Sequence, residues 1–192
     1  MSDFTIPEIE SERLLLRAIA PDDLDEWIRV KFGDPEVMRH MPPMDVTPQV
    51  RARKALEFFS QVWAEHGYGG WLVTDKATGN ILGDCYLEPV DDSAADEIEM
   101  GVALGRANWR QGVASEAAIA MLRFAFEQVG AKRVFARALA DNVASWRGMG
   151  RLGFSLVEQT SQHGAKTVVY VMNRWQFEPE DAYYRLRLPG KN

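Results

Sequence analysis

The chain's 192 residues are 46% hydrophobic, 26% charged and 10% aromatic, a length and mix that suit one globular domain and exclude collagen-like, low-complexity and disordered chains. Acids outnumber bases 28 to 22, a net charge of −6, so the attraction for a phosphate backbone that dominates non-specific nucleic-acid binding is missing. One cysteine, Cys85, allows neither an internal disulfide nor a cysteine-based metal cluster; with no basic leader and no membrane-length apolar run, the expectation is a soluble cytoplasmic protein without nucleic-acid or membrane partners.

Arg13 to Ala18 is a short apolar run, read as a strand, and Pro21-Asp22-Asp23 starts a helix with acids in its first turn. Leu24, Trp27 and Ile28 form the apolar face of that helix, and Gly33-Asp34-Pro35 ends it. Prolines interrupt the segment from there to Pro48, which reads as a loop with Met38, His40, Met41 and Met44 to place. Pro48 suits the first turn of a second helix, in which Ala55, Leu56, Phe59, Val62 and Trp63 recur at helical spacing until Gly67. Strands over 70–75, 80–88 and 97–104 follow as an antiparallel meander, the first two joined through Lys76-Ala77-Thr78-Gly79. Ala114, Ala117, Ala118, Met121, Leu122, Ala125 and Val129 recur at steps of three and four, which predicts a helix over 112–129 stopped by Gly130. A strand over 133–140, a short helix over 142–150 capped by Asn142, and strands over 154–159 and 167–174 around a turn at His163-Gly164 complete the order. Residues 1–174 form one domain on this reading, and 175–192 form an aromatic tail that docks or stays free.

The informative stretch is Leu104-Gly105-Arg106-Ala107-Asn108-Trp109-Arg110-Gln111-Gly112-Val113-Ala114-Ser115-Glu116, a strand running through a turn into a helix start. Small residues at Gly112 and Ala114 leave the first N–H groups of the helix open to a ligand, with the positive end of the helix dipole behind them. These residues fit a pyrophosphate cradle and equally a plain strand-to-helix turn. They are neither a P-loop, which needs Gly-Lys-Ser/Thr, nor the Gly-x-Gly-x-x-Gly dinucleotide turn.

Trp109-Arg110-Gln111-Gly112-Val113-Ala114 resembles the Arg/Gln-x-x-Gly-x-Gly/Ala pyrophosphate signature of the GNAT N-acetyltransferase family, with tryptophan first, as in its branch of ribosomal-protein N-terminal acetyltransferases. Three further pieces match in order: Ser11-Glu12-Arg13-Leu14-Leu15-Leu16-Arg17, Glu99-Met100-Gly101-Val102-Ala103-Leu104, and Asn142-Val143-Ala144-Ser145 followed by Arg151-Leu152-Gly153-Phe154. The resemblance implies an α/β (α+β) fold, a mixed and mostly antiparallel sheet flanked by helices on both faces. That sheet would splay between its fourth and fifth strands, 97–104 and 133–140, around acetyl-CoA as co-substrate, with no metal. It also implies pantetheine pairing near Val102 and Leu104, and pyrophosphate on the N–H groups of Gln111, Gly112, Val113, Ala114 and Ser115. Arg106 and Arg110 would add charge, Asn142 would contact the CoA arm, and Ser145 would give a proton to the leaving thiolate. Glu99 is the leading proton acceptor, working through water, and Glu97 on the same face is the reserve. Each has a plainer reading: Asn142 as a helix cap, Ser145 as a solvent-facing residue, Glu99 as a solvated strand acid, the arginines as loop charges.

Direct acyl transfer needs a neutral amine held against the thioester carbonyl. A lysine amine near pKa 10.4 must give up about 2.6 units more than an α-amine near 7.8, or about 3.5 kcal/mol, so an N-terminal amine reacts with a weaker base. The expected activity is acetyl-CoA-dependent N-acetylation of a protein or peptide N-terminus. The alternatives are acetylation of a small amine such as an aminoglycoside or polyamine, and acyl-CoA sensing without turnover. Glu88, Asp91, Asp92, Asp96, Glu97 and Glu99 put six acids and no base in twelve residues. Facing an acceptor channel they favour a cationic acceptor, and in a hairpin loop they only solvate it. Cys85 reads as a small buried hydrophobe, His40 as structural, and His66 and His163 as too far apart for a metal site. The tail and the apolar loop are interface material if the protein forms a homodimer.

Overall fold

The computed structural model describes residues 5–90, 96–162, 164–179 and 182–188. Asp91, Asp92 and His163, singled out above, lie outside them. The strands are β1 (Glu8–Glu10), β2 (Leu14–Arg17), β3 (Gly70–Asp75), β4 (Ile81–Pro89), β5 (Glu97–Leu104), β6 (Arg133–Leu139), β7 (Ser155–Gln162), β8 (Ala165–Asn173) and β9 (Arg185–Arg187). They form one sheet in the order β7-β8-β6-β5-β4-β3-β2-β1-β9, antiparallel at every junction except β5 with β6. The helices are α1 (Leu24–Trp27), α2 (Pro35–Met38), α3 (Pro48–His66), α4 (Val113–Arg123) and α5 (Val143–Arg151).

Alternation along the strands feeds two cores, one on each face of the sheet. Leu14, Leu16, Trp71, Val73, Cys85, Leu87, Ile98 and Met100 pack on one face against Ala117, Ala118 and Met121 of α4. Leu72 and Ile81 pack on the other with Trp27, Phe32, Ala52 and Phe59, from the α1 and α3 layer. Cys85 is wholly buried, and burial pushes its thiol well above its ordinary value, in keeping with a core residue. Among the described residues, no helix is long and apolar enough to cross a membrane.

Three elements go beyond the sequence reading. Pro35 begins a helical turn instead of preventing one, because the Asp34 carboxylate caps it by accepting from the Glu36 N–H at 2.9 Å. Glu8–Glu10 and Arg185–Arg187 pair with each other, so the tail docks as β9 against β1. The first and fourth helical stretches also end in wide π turns, Ile28–Phe32 and Phe124–Val129.

The junction of β5 with β6 positions everything that follows. The strands pair in parallel at only three positions, Glu97↔Arg133, Ile98↔Val134 and Glu99↔Phe135. Beyond these, β5 continues to Leu104 against β4 alone, and β6 to Leu139 against β8 alone. The sheet thus opens as a V with its root at Glu99, and because the two strands run parallel their C-terminal ends lie on the same side, at its mouth.

Candidate functional site

At one arm of the mouth, Leu104 leads through Gly105 and a 3₁₀ turn (Arg106–Asn108) into α4. Two residues take left-handed backbone there, Arg110 at φ 60° and Gly112 at φ 78°. The second suits glycine; the first is a strained arginine, a conformation that non-glycine residues seldom take outside functional turns. No side chain caps α4 at Gly112, and the first amide bonded back is that of Glu116, to the Gly112 carbonyl at 3.0 Å. The N–H groups of Val113, Ala114 and Ser115 thus have no partner within the helix. A Cβ at Gly112 would come within 3.4 Å of the Arg13 Nη2.

The loop is held from two sides. Trp109 donates its indole N–H to the Leu104 carbonyl at 2.7 Å, which gives tryptophan a definite task at the first position of the motif. It also occupies the carbonyl of one of the two residues expected to pair with pantetheine; Val102, one pleat earlier, remains on the stretch of β5 that β6 has left. Gln111 donates its side-chain amide to the Ala107 carbonyl at 2.7 Å. From the other side, Arg13 donates Nη1 to the Gln111 carbonyl at 3.1 Å and Nε to Glu116 at 2.7 Å. Glu116 also accepts from the Arg13 N–H and the Ser11 hydroxyl, each at 2.7 Å. Burial pushes the Glu116 carboxyl up, and these donors outweigh it, leaving it below its ordinary value. The sequence reading used both residues only as pieces of a motif; an acid in the first turn of a helix was the available signal.

Arg106 is drawn away from the loop by an ion pair with Asp34 at 3.4 Å. Arg110 is exposed and makes no ion pair among the described residues. At the other arm of the mouth, Asn142 caps α5 by accepting from the Ser145 N–H at 3.3 Å, so the capping role is met. Ser145 is half-buried one turn along. His40 stands 3.7 Å from Asp141, which sets the 39–47 loop beside this arm. Arg51 holds the same loop by donating to the Pro42 carbonyl at 2.6 Å.

At the root of the V, the two candidate acids are both engaged. Glu97 pairs with Arg133 and Glu99 with Arg137, each across the β5–β6 junction. Glu99 lies opposite Glu88 of β4, and Gly101 opposite Tyr86, all on one face of the sheet. Only glycine fits at 101, since a Cβ there would fall 2.4 Å from the Tyr86 ring, which stacks on Phe59 of α3. Burial pushes the Tyr86 phenol far up, so it stays protonated at neutral pH. Burial also pushes the Glu88 carboxyl up, against the pull of the Arg137 charge. Among the described residues, no hydrogen bond or ion pair reaches the Glu88 carboxylate. Arg137 escaped the sequence reading because nothing local links it to Glu99.

Residues 13–155 match a family described as Acetyltransferase (GNAT) domain. A Bacillus licheniformis protein named uncharacterized N-acetyltransferase p20 is 27% identical over 144 residues, 75% of this chain and 80% of its own. The uncharacterized N-acetyltransferase YoaA of Bacillus subtilis is 26% identical over 148 residues, 77% of this chain and 82% of its own. Among solved structures, an acetyltransferase from Agrobacterium tumefaciens matches 88% of this chain and 96% of its own with a TM-score of 0.75 at 23% identity. A GNAT-family acetyltransferase from Bacillus anthracis matches 88% and 99% with a TM-score of 0.73 at 20% identity. The two structural matches are likenesses of fold, a mostly antiparallel open sheet flanked by helices.

Proposed function

The chain belongs to the GNAT acetyltransferase family, and from that premise we propose that it moves an acetyl group from acetyl-CoA directly to a primary amine, first of all a protein or peptide N-terminus. One observation carries the reading: an uncapped helix N-terminus at Gly112 stands at the mouth of the opening between β5 and β6. The residues there fit a CoA pyrophosphate. The amides of Gln111, Gly112, Val113, Ala114 and Ser115 would hold its oxygens, with the helix dipole behind them and Arg110 free to add charge. Val102 would offer its backbone to pantetheine, while Leu104 serves by fastening Trp109.

Acetyl-CoA supplies the activated acyl group; the protein's part is to bind, orient and move protons. Asn142 would contact the CoA arm with the amide end that capping leaves over. Ser145, at the same arm of the mouth, would protonate the departing thiolate. The preference for an N-terminal amine rests on its lower proton affinity and on the sequence likeness to ribosomal-protein N-terminal acetyltransferases. The test is calorimetric titration with acetyl-CoA, alongside dephospho-acetyl-CoA. We expect saturable one-site binding to the wild type and none to Gly112→Glu, which adds a side chain and a negative charge to the cradle. No binding by the wild type at millimolar ligand would overturn the reading.

A further inference from the structure

We propose that Glu88, not Glu99, takes the proton from the acceptor ammonium, and that Glu99 instead holds Arg137 at the root of the opening. This rests on the acetyltransfer reading above. Glu88 and Glu99 are direct cross-strand partners, so their side chains leave the same face about 5 Å apart and reach the same space. They differ in what meets them there. The Glu99 carboxylate is engaged by the Arg137 guanidinium, and a carboxylate that already accepts from a guanidinium is the weaker base. Glu88 is half-buried and accepts from no described residue. Among the described residues, the titratable or charged groups around it are Tyr86 on its own strand, Glu99 on β5 and Arg137 on β6, and helix α3 brings the ring of Phe59, stacked on Tyr86. Burial raises the proton affinity of Glu88, which matches it better to an amine near neutral pH.

The step balances as follows. One proton leaves the R–NH₃⁺ nitrogen for the Glu88 carboxylate, directly or through one water, and frees the lone pair. That pair forms the C–N bond to the acetyl carbonyl carbon, the C–S bond breaks, and its electrons leave on the CoA sulfur. The Ser145 hydroxyl gives its proton to that sulfur and takes the second proton from the nitrogen, and Glu88 returns its own to solvent.

The experiment compares wild type, Glu88→Gln and Glu99→Gln by thiol release from acetyl-CoA, with mixed short peptides bearing free N-termini as the acceptor probe. It is joined to a carbon-13 NMR titration of the glutamate carboxyls. Glu88→Gln should lower kcat about 100-fold or more, leave acetyl-CoA affinity unchanged, and remove the acid limb of the pH–rate profile. Glu99→Gln should keep that limb, moved to lower pH because Arg137 then acts on Glu88 alone. The carboxyl signal lost in Glu88→Gln should titrate above the other glutamates. An acid limb that survives Glu88→Gln or vanishes in Glu99→Gln, or a Glu88 signal that titrates with the rest, overturns the inference and leaves acetyltransfer standing. A wild type that binds acetyl-CoA but acetylates no amine overturns both.

Discussion

Strand β4 carries two carboxylates on one face, four residues apart, that meet opposite fates. Asp84 is wholly buried and fully served: it accepts from the Trp27 indole at 2.7 Å and from the Lys31 ammonium at 2.8 Å, and that ammonium also lies 4.9 Å from the Phe32 ring centre. Glu88 is only half-buried, yet no described residue donates to it. A buried charge whose partners are complete belongs to the architecture, because it gains nothing by changing state. A desolvated carboxylate without donors is held in readiness for a proton, at some expense in stability. The contrast separates the part of the sheet that fixes the α1 layer from the part that can do chemistry.

The largest effect is expected where the served cluster is broken. Asp84→Ala leaves the Lys31 ammonium buried without its counter-charge and should cost about 3–5 kcal/mol in urea denaturation; a loss under about 1 kcal/mol would erase the distinction between the two clusters. Next comes the seam between them. Gly101→Val would drive a side chain into the Tyr86 ring and should cost about 1–3 kcal/mol by the same measurement.

The smallest effects concern pH, and their signs oppose each other. Glu116 is held below its ordinary value, so its contribution is present above the unfolded glutamate range near pH 4.3 and is lost as pH falls through its lower folded value. Glu116→Gln should therefore cost about 1–2 kcal/mol at neutral pH and progressively less in acid. Glu88 is held above its ordinary value, so ionising it is harder in the folded chain and stability declines as pH rises through that range. Glu88→Gln should be slightly more stable than wild type at neutral pH and equal to it in acid. Denaturation midpoints across pH would check both signs, and a destabilised Glu88→Gln would show that Glu88 has donors after all.

How far the sequence was legible follows from how local each signal is. Helix α3 could be placed from Pro48, the helical spacing of Ala55 to Trp63, and Gly67, since the first-turn proline and the left-handed terminator act within a turn of the ends; the Thr47 cap adds to them in the structure. The opening between β5 and β6 came from family likeness, not from periodicity. Strands β1 and β9 were missed because Glu-Ile-Glu and Arg-Leu-Arg are too short to show alternation, and each becomes a strand only beside the other and β2. Pro35 reads locally as a breaker, and the Asp34 cap before it makes it a starter. At the candidate site, the loop from Gly105 to Ser115 was legible as a motif, while the partners that decide reactivity were not. Arg137 for Glu99, Lys31 for Asp84 and Arg13 for Glu116 are distant in sequence, and nothing in local spacing announces a charge pair made across strands.

The fastening of Glu116 has one more consequence. The Arg13 amide donates to that carboxylate and the Leu14 amide to the Ser11 hydroxyl, which itself donates to Glu116. The loop before α4 and the start of β2 are therefore joined through Glu116: swinging the loop out releases the Arg13 amide and takes the acceptor from the Ser11 hydroxyl that holds the Leu14 amide. Hydrogen exchange at Arg13, and more weakly at Leu14, becomes a reporter of that joint, and any anion that pins α4 should slow both amides in step with its saturation.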